Sequence, residues 1–145
     1  MIHMAPRTTS SIVSKSIARG GGRAAYRGEV RVDAGAHHAA NTVRCDALLV
    51  DTISRSDTYP AIDIRQDDVQ LGHEATVSRV SEEQLFYLQS RGIHEDEARR
   101  LVVHGFFADI IRKIGVPQIE ARLLATVEAE LAKNVIKTVA AEVSG

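Results

Sequence analysis

Tryptophan is absent, aromatic residues make up 4% of the chain, and there is one cysteine in 145 residues. A lone cysteine, Cys45, excludes an internal disulfide, and the opening MIHMAPRTTSS carries no apolar stretch of signal-peptide length. Together these place the chain in a reducing compartment, read as the cytoplasm. No run approaches the roughly eighteen apolar residues that cross a bilayer, so no membrane partner is expected. The formal charge of −1 leaves no global field to draw the chain onto nucleic acid.

What is present suits a compact soluble protein, since an apolar fraction of 44% is enough for a real core. One local bias stands out. Arg7, Lys15, Arg19, Arg23, Arg27 and Arg31 face a single acid, Glu29, over the same stretch. Without aromatic residues interleaved for stacking on bases, this stretch reads as a solvated rim.

The chain changes character near residue 80. From Ser10 to Val80, apolar residues recur at period two: Val30 and Val32; Val43, Cys45, Ala47 and Leu49; Ile62 and Ile64; Ala75 and Val77. These are strands, separated by turn formers at Gly20-Gly21-Gly22, Asp33-Ala34-Gly35, Asp51 to Asp57 and Asp67-Asp68. Hairpin dipeptides are missing and the strand starts recur as in stacked solenoid coils, although a sandwich or small barrel fits the irregular spacing equally well. After Val80 the period becomes helical. Ser81-Glu82-Glu83-Gln84 forms a capping box, and Gly92 suits a helix end. A second helix starts near Glu95-Asp96-Glu97, carries Ala98, Leu101, Val102, Phe106, Ile110, Ile111 and Ile114 as its apolar stripe, and stops at Gly115. Pro117 opens a third, with Leu123, Leu124, Val127 and Leu131 on one side, and the tail from Asn134 to Gly145 is expected to fray.

Cys45 is the one soft ligand or sulfur nucleophile, because the thiolate is what binds iron and attacks a persulfide. Its parity with Val43, Ala47 and Leu49 points the thiol inward, where free cysteine also serves as plain core. In Gly72-His73-Glu74 an imidazole and a carboxylate adjoin, but neighbours on a strand face opposite ways unless the chain bends at Gly72. His37 and His38 could join His73, although their spacing matches no zinc pattern and exposed loop positions explain them better. Asp63, Asp67 and Asp68 invite a carbohydrate-active reading through paired carboxylates, against the commoner role of acids as turn formers. Gly20-Gly21-Gly22 lacks the Lys-Ser/Thr and helix start of a phosphate loop, so no nucleotide is expected on this chain.

The strings SSIVSKSIARGGGRAAYRGEV, CDALLVDTISRSDTYP, GHEATVSRVSEEQLFYLQSRGI and EDEARRLVVHGFF resemble the SufB/SufD family of iron–sulfur cluster assembly proteins. Members are longer, so the chain resembles a carboxy-terminal section. The resemblance implies a mainly β fold with α: part of a right-handed parallel β-helix over 1–80, then a helical domain over 81–145 that docks the ATPase SufC. It implies pairing with SufD or a second SufB-like chain, and a sulfur donor such as SufE or SufU working with SufS. It implies a scaffold instead of an enzyme. The sulfur-accepting cysteine of SufB matches Cys45, and its HEAT histidine and glutamate match His73 and Glu74, so these three are the residues implied to hold transient iron and a nascent iron–sulfur cluster. Gly72 and Ser54 replace an acid and a second cysteine of some SufB proteins, and His94 is a weaker helix cap than Ser or Thr. The helices from Val102 onward are closer to SufD, which leaves three alternatives: a SufB, a non-catalytic SufD-like structural partner, or a homodimeric SufB/SufD-like protein.

Overall fold

The computed structural model describes residues 1–142, with side chains to residue 132. Six strands come first: β1 (Ile2–His3), β2 (Thr9–Ala18), β3 (Arg23–Val32), β4 (Ala40–Leu49), β5 (Arg55–Ile64) and β6 (Gln70–Arg79). Three helices follow, α1 (Glu82–Ser90), α2 (Glu95–Arg112) and α3 (Pro117–Glu142). The chain divides into two compact units, Met1–Arg79 and a helical unit from Val80 onward. Among the described residues, no helix is long and apolar enough to cross a membrane.

In the first unit each strand skips its immediate neighbour in sequence and pairs with the next but one. This gives two three-stranded sheets, β1-β3-β5 and β2-β4-β6, with every pairing parallel. The fold is thus mainly β with α. Register is continuous over ten-residue strands, from Thr9 beside Ala40 to Ala18 beside Leu49, and from Ala40 beside Gln70 to Leu49 beside Arg79. Residues of β3, β4 and the turn between them supply much of the core, in which Val30, Val43 and Cys45 form one buried cluster and Val32, with Ala36 and Ala39 of the turn, another.

Two sequence expectations need correction here. Asp51 to Asp57 is not all turn, because β5 already starts at Arg55. Ile62, Ile64 and Val77 have the inward parity expected of them, yet each is about half exposed, at 50%, 51% and 54%. Parity sets the side a residue faces, but burial needs something on that side, and β5 and β6 are the outermost strands of their sheets. Pro60 in β5 follows the same logic, since a proline that donates nothing to the ladder is tolerated on an outer strand.

The turns are held by specific contacts. Gly20 and Gly21 take positive φ values of 64° and 76°, which only glycine adopts without strain. Asp51, in the turn after β4, accepts from the backbone N–H of Gly20, and its other oxygen accepts from Ile53 at 3.0 Å and Ser54 at 2.7 Å. One carboxylate therefore ties the turn after β2 to the turn after β4. Burial alone would raise its pKa, but the hydrogen bonds from Ser54, Gly20 and Ile53 outweigh that and hold it below the ordinary carboxylate value. The basic residues of the amino-terminal stretch are partly absorbed by similar pairing, with Arg23 on Asp57 and Arg31 3.2 Å from Asp33.

In the helical unit, Ser81 caps α1 by accepting from the Gln84 N–H at 3.4 Å. Gly92 at φ 84° closes the same helix: its N–H reaches Gln89 O and that of Ile93 reaches Leu88 O, the paired bonds of a Schellman ending. His94 makes no side-chain cap for α2, and the first turn relies on Glu95, Asp96 and Glu97 instead. Of the stripe expected on α2, only Ala98 and Ile111 are buried. Ala98, Val103, Ala108 and Ile111 are buried, while Leu101 and Ile114 are 47% and 42% exposed, because α2 packs against both α1 and α3 and divides its contacts between them. Pro117 is the first residue of α3, but Leu123 on its expected apolar side is exposed. The expectation that the tail from Asn134 frays falls on residues whose side chains, and from 143 the backbone also, lie outside the described residues.

Asp51→Ala should lower stability by about 1–2 kcal/mol at neutral pH, the worth of charge-assisted bonds at a partly exposed turn. Because the folded carboxyl has the lower pKa, this stabilisation is present above about pH 4 and disappears as pH falls through the folded value. Urea unfolding at pH 7 and pH 3 should therefore separate wild type from variant more widely at the first pH.

Candidate functional site

Cys45 lies on β4, the central strand of its sheet, with Ser14 on one side and Ala75 on the other. Two residues earlier, Val43 stands between Ile12 and His73. Laterally paired residues in a sheet project to the same face, so Cys45 and His73 share the inner face. They are diagonal neighbours there, about 8 Å apart between Cα atoms for standard strand spacings. Glu74 sits beside Arg44 on the opposite face, and β6 stays in unbroken register through Gly72, so no bend brings Glu74 round.

The thiol is 6% exposed, in a cluster with Val30 and Val43 against which Ile12, Tyr26 and Leu71 also pack. Burial pushes its pKa up, and the negative charge of the adjacent Asp46 pushes the same way. Asp46 faces Arg44 at 3.2 Å and Lys15 at 3.9 Å. As packed, Cys45 is therefore a protonated thiol, a poor nucleophile and a poor ligand until it meets solvent or a cation.

His73 is half-buried, and its Nε2 is buried with no hydrogen-bond partner among the described residues. The imidazole lines a narrow crevice with Tyr26, Gly28, Asn41, Val43 and Gly72. That crevice amounts to about 10 Å³, room for a single water. His3, on the neighbouring sheet, shows the contrast. Its Nδ1 lies 2.6 Å from Thr8 Oγ1 and its Nε2 2.8 Å from Ser10 Oγ, which in turn accepts from Asn41. One histidine is fully committed to the structure and the other keeps a ring nitrogen available.

The remaining candidates lie elsewhere. His37 and His38 both approach Asp68, with Nδ1 to Oδ2 distances of 3.1 and 3.5 Å, and neither lines the crevice with His73. Asp63 pairs with Arg65 at 2.8 Å, and Asp67 is exposed, so the acids proposed for carbohydrate chemistry form no facing pair. Among the described residues, no group of three His, Cys, Asp or Glu side chains is placed to hold a metal ion. Sequence reading missed Tyr26 and Asn41, which border both His73 and the Cys45 cluster. Tyr26 shares parity with Val30 and Val32 on β3, and that signal could have found it.

Replacing a buried polar nitrogen that lacks a partner removes a penalty, whereas replacing a satisfied one exposes its partners. His73→Leu should hold or slightly raise stability, while His3→Leu should cost about 1–3 kcal/mol by leaving Thr8 and Ser10 unpaired. Urea midpoints of the two variants check this, and an equal loss in both would make His73 a structural histidine.

The family model described as "SUF system FeS cluster assembly, SufBD core domain" matches residues 1–106. The chain is 65% identical over 114 residues to an "iron-sulfur cluster assembly SufBD family protein" of Mycobacterium tuberculosis, covering 79% of this chain and 14% of that protein. A protein of the same description in Mycobacterium leprae is also 65% identical over 114 residues, with 79% and 13% covered. To the "iron-sulfur cluster assembly protein SufB" of Bacillus subtilis it is 50% identical over 114 residues, covering 79% of this chain and 24% of that one. The chain thus spans a quarter or less of the length of these relatives. With the family model covering well over half of its residues, the chain belongs to the SufBD family of the SUF iron–sulfur cluster assembly system.

Proposed function

We propose that this chain is the carboxy-terminal part of a cytoplasmic scaffold on which an iron–sulfur cluster is assembled, with Cys45 as the sulfur acceptor. The observation that carries this reading is the shared inner face of Cys45 and His73, one a potential thiolate and the other an imidazole with a buried, unpartnered nitrogen. The Cys45 thiolate attacks the outer sulfur of a persulfide on the donor, of SufE or SufU type. A new S–S bond forms on Cys45, the donor's S–S bond breaks, and the donor leaves as a thiolate. Iron, as substrate, is then held by the Cys45 sulfur and His73, with further ligands from a paired SufD or second SufB-like chain. Glu74, on the other face of β6, joins only through such a partner. An incomplete ligand set suits a transfer station, because a full thiolate cage retains its cluster.

In this reading, residues 1–80 end a right-handed parallel β-helix, as the family resemblance implies, and residues 81–145 dock the ATPase SufC. The exposed Phe86, Tyr87 and Leu101 on α1 and α2 support a docking role for the helical part. Nucleotide binding then belongs to SufC, whose cycle would expose a thiol that is buried at rest.

A second reading is a SufD-like structural partner, and the burial of Cys45 favours it. Anaerobic reconstitution with iron and a persulfide donor, on the full-length complex, separates the two. The scaffold reading expects Cys45→Ala to reduce cluster yield at least about tenfold and His73→Ala to reduce it less, since the sulfur nucleophile has no substitute on this chain. Undiminished yield in Cys45→Ala would leave only the structural partner.

A further inference from the structure

Tyr26 projects from β3 on the inward parity shared with Gly28, Val30 and Val32. Its ring lies across Gly28: a Cβ built at position 28 would stand 2.3 Å from the Tyr26 hydroxyl and 2.6 Å from the ring carbon bearing it. Tyr26 packs on the Val30, Val43 and Cys45 cluster and also lines the His73 crevice. Val30, Val43 and Leu71 also border both, the first two buried and Leu71 half-buried like Tyr26, but of these Tyr26 is the one whose ring lies across Gly28. Its hydroxyl makes no hydrogen bond among the described residues, so nothing polar anchors the ring in place. With the ring seated, about 10 Å³ remains beside His73, room for one water but too little for a donor's persulfide.

We propose that Tyr26 is a positioning residue, a movable partition whose ring, seated over Gly28, separates the Cys45 sulfur from the His73 crevice and controls access to both. The proposal rests on the assembly-site reading above and extends it by naming the side chain that must move. Gly28 is the seat, because any larger residue there displaces the ring.

The test is the rate at which iodoacetamide alkylates Cys45 in the full chain, which reads access alone and does not depend on sulfur delivery. Tyr26→Ala removes the partition, Gly28→Ala pushes it off its seat without deleting it, and Tyr26→Phe keeps the ring. Val32→Ala, in the separate cluster with Ala36 and Ala39, is the control for loosened packing. Tyr26→Ala and Gly28→Ala should each speed alkylation by about tenfold or more, with Tyr26→Phe and Val32→Ala near the wild-type rate, as expected for local opening distinct from global unfolding. Circular dichroism before each reaction confirms that the folded protein is being read. If neither Tyr26→Ala nor Gly28→Ala is faster, or if Val32→Ala or Tyr26→Phe is as fast as Tyr26→Ala, the partition is overturned. Cluster yield in Cys45→Ala is measured separately, so loss of the sulfur-acceptor reading and loss of the partition give different results.

Discussion

The lateral register of β4 against β2 and β6 is the constraint on which everything else depends. Side chains alternate with strict period two, so a slip of β4 by one residue would turn Cys45 to the outer face and Arg44 and Asp46 inward, and the same slip of β6 would bring Glu74 inward in place of His73. Nothing local to Cys45 prevents that slip. It is prevented by the rows on either side, in which Ile12, Val43 and His73 align in one and Ser16, Ala47 and Val77 in another, and by the Asp51 carboxylate that fixes the turns after β2 and β4 together.

That register creates a chemical tension. Sulfur and iron chemistry need a thiolate, and the place where the register puts the sulfur favours the protonated thiol, first through burial and then through the charge of Asp46 across the strand. The same interior leaves a nitrogen of His73 without a partner among the described residues, a state that costs free energy and is uncommon unless a ligand or water visits it. A site with one inert donor and one unsatisfied donor is unfinished at rest. Under the proposed scaffold reading, such a site would act only when its walls move or when a second chain supplies what it lacks.

The helical unit shows a different balance between local and tertiary control. Its ends are written into single residues, each acting within one turn: Ser81 starts α1 by accepting from the Gln84 N–H, Gly92 ends it through backbone bonds, and Pro117 starts α3 through its fixed φ and missing N–H. Its packing is not. Alanines 98 and 108 are buried on α2 while Leu101 is exposed, because the choice of face follows from where α1 and α3 lie and not from hydrophobicity along the helix.

The sequence by itself determined the strands, their turns, the helix caps and the inward parity of Val43, Cys45, Ala47 and Leu49, because alternation and turn chemistry are local properties of the chain. It left open whether a bend at Gly72 brings His73 and Glu74 to one side, and the unbroken register of β6 places them on opposite faces. Tertiary structure alone decided that His73, nearly thirty positions away from Cys45, stands diagonal to it, that Ile62, Ile64 and Val77 stay exposed, and that Tyr26 lies over Gly28 beside the sulfur. Those outcomes depend on which strands become neighbours and which remain outermost. Pairing between distant strands is a property of the whole sheet, and no window of sequence contains it.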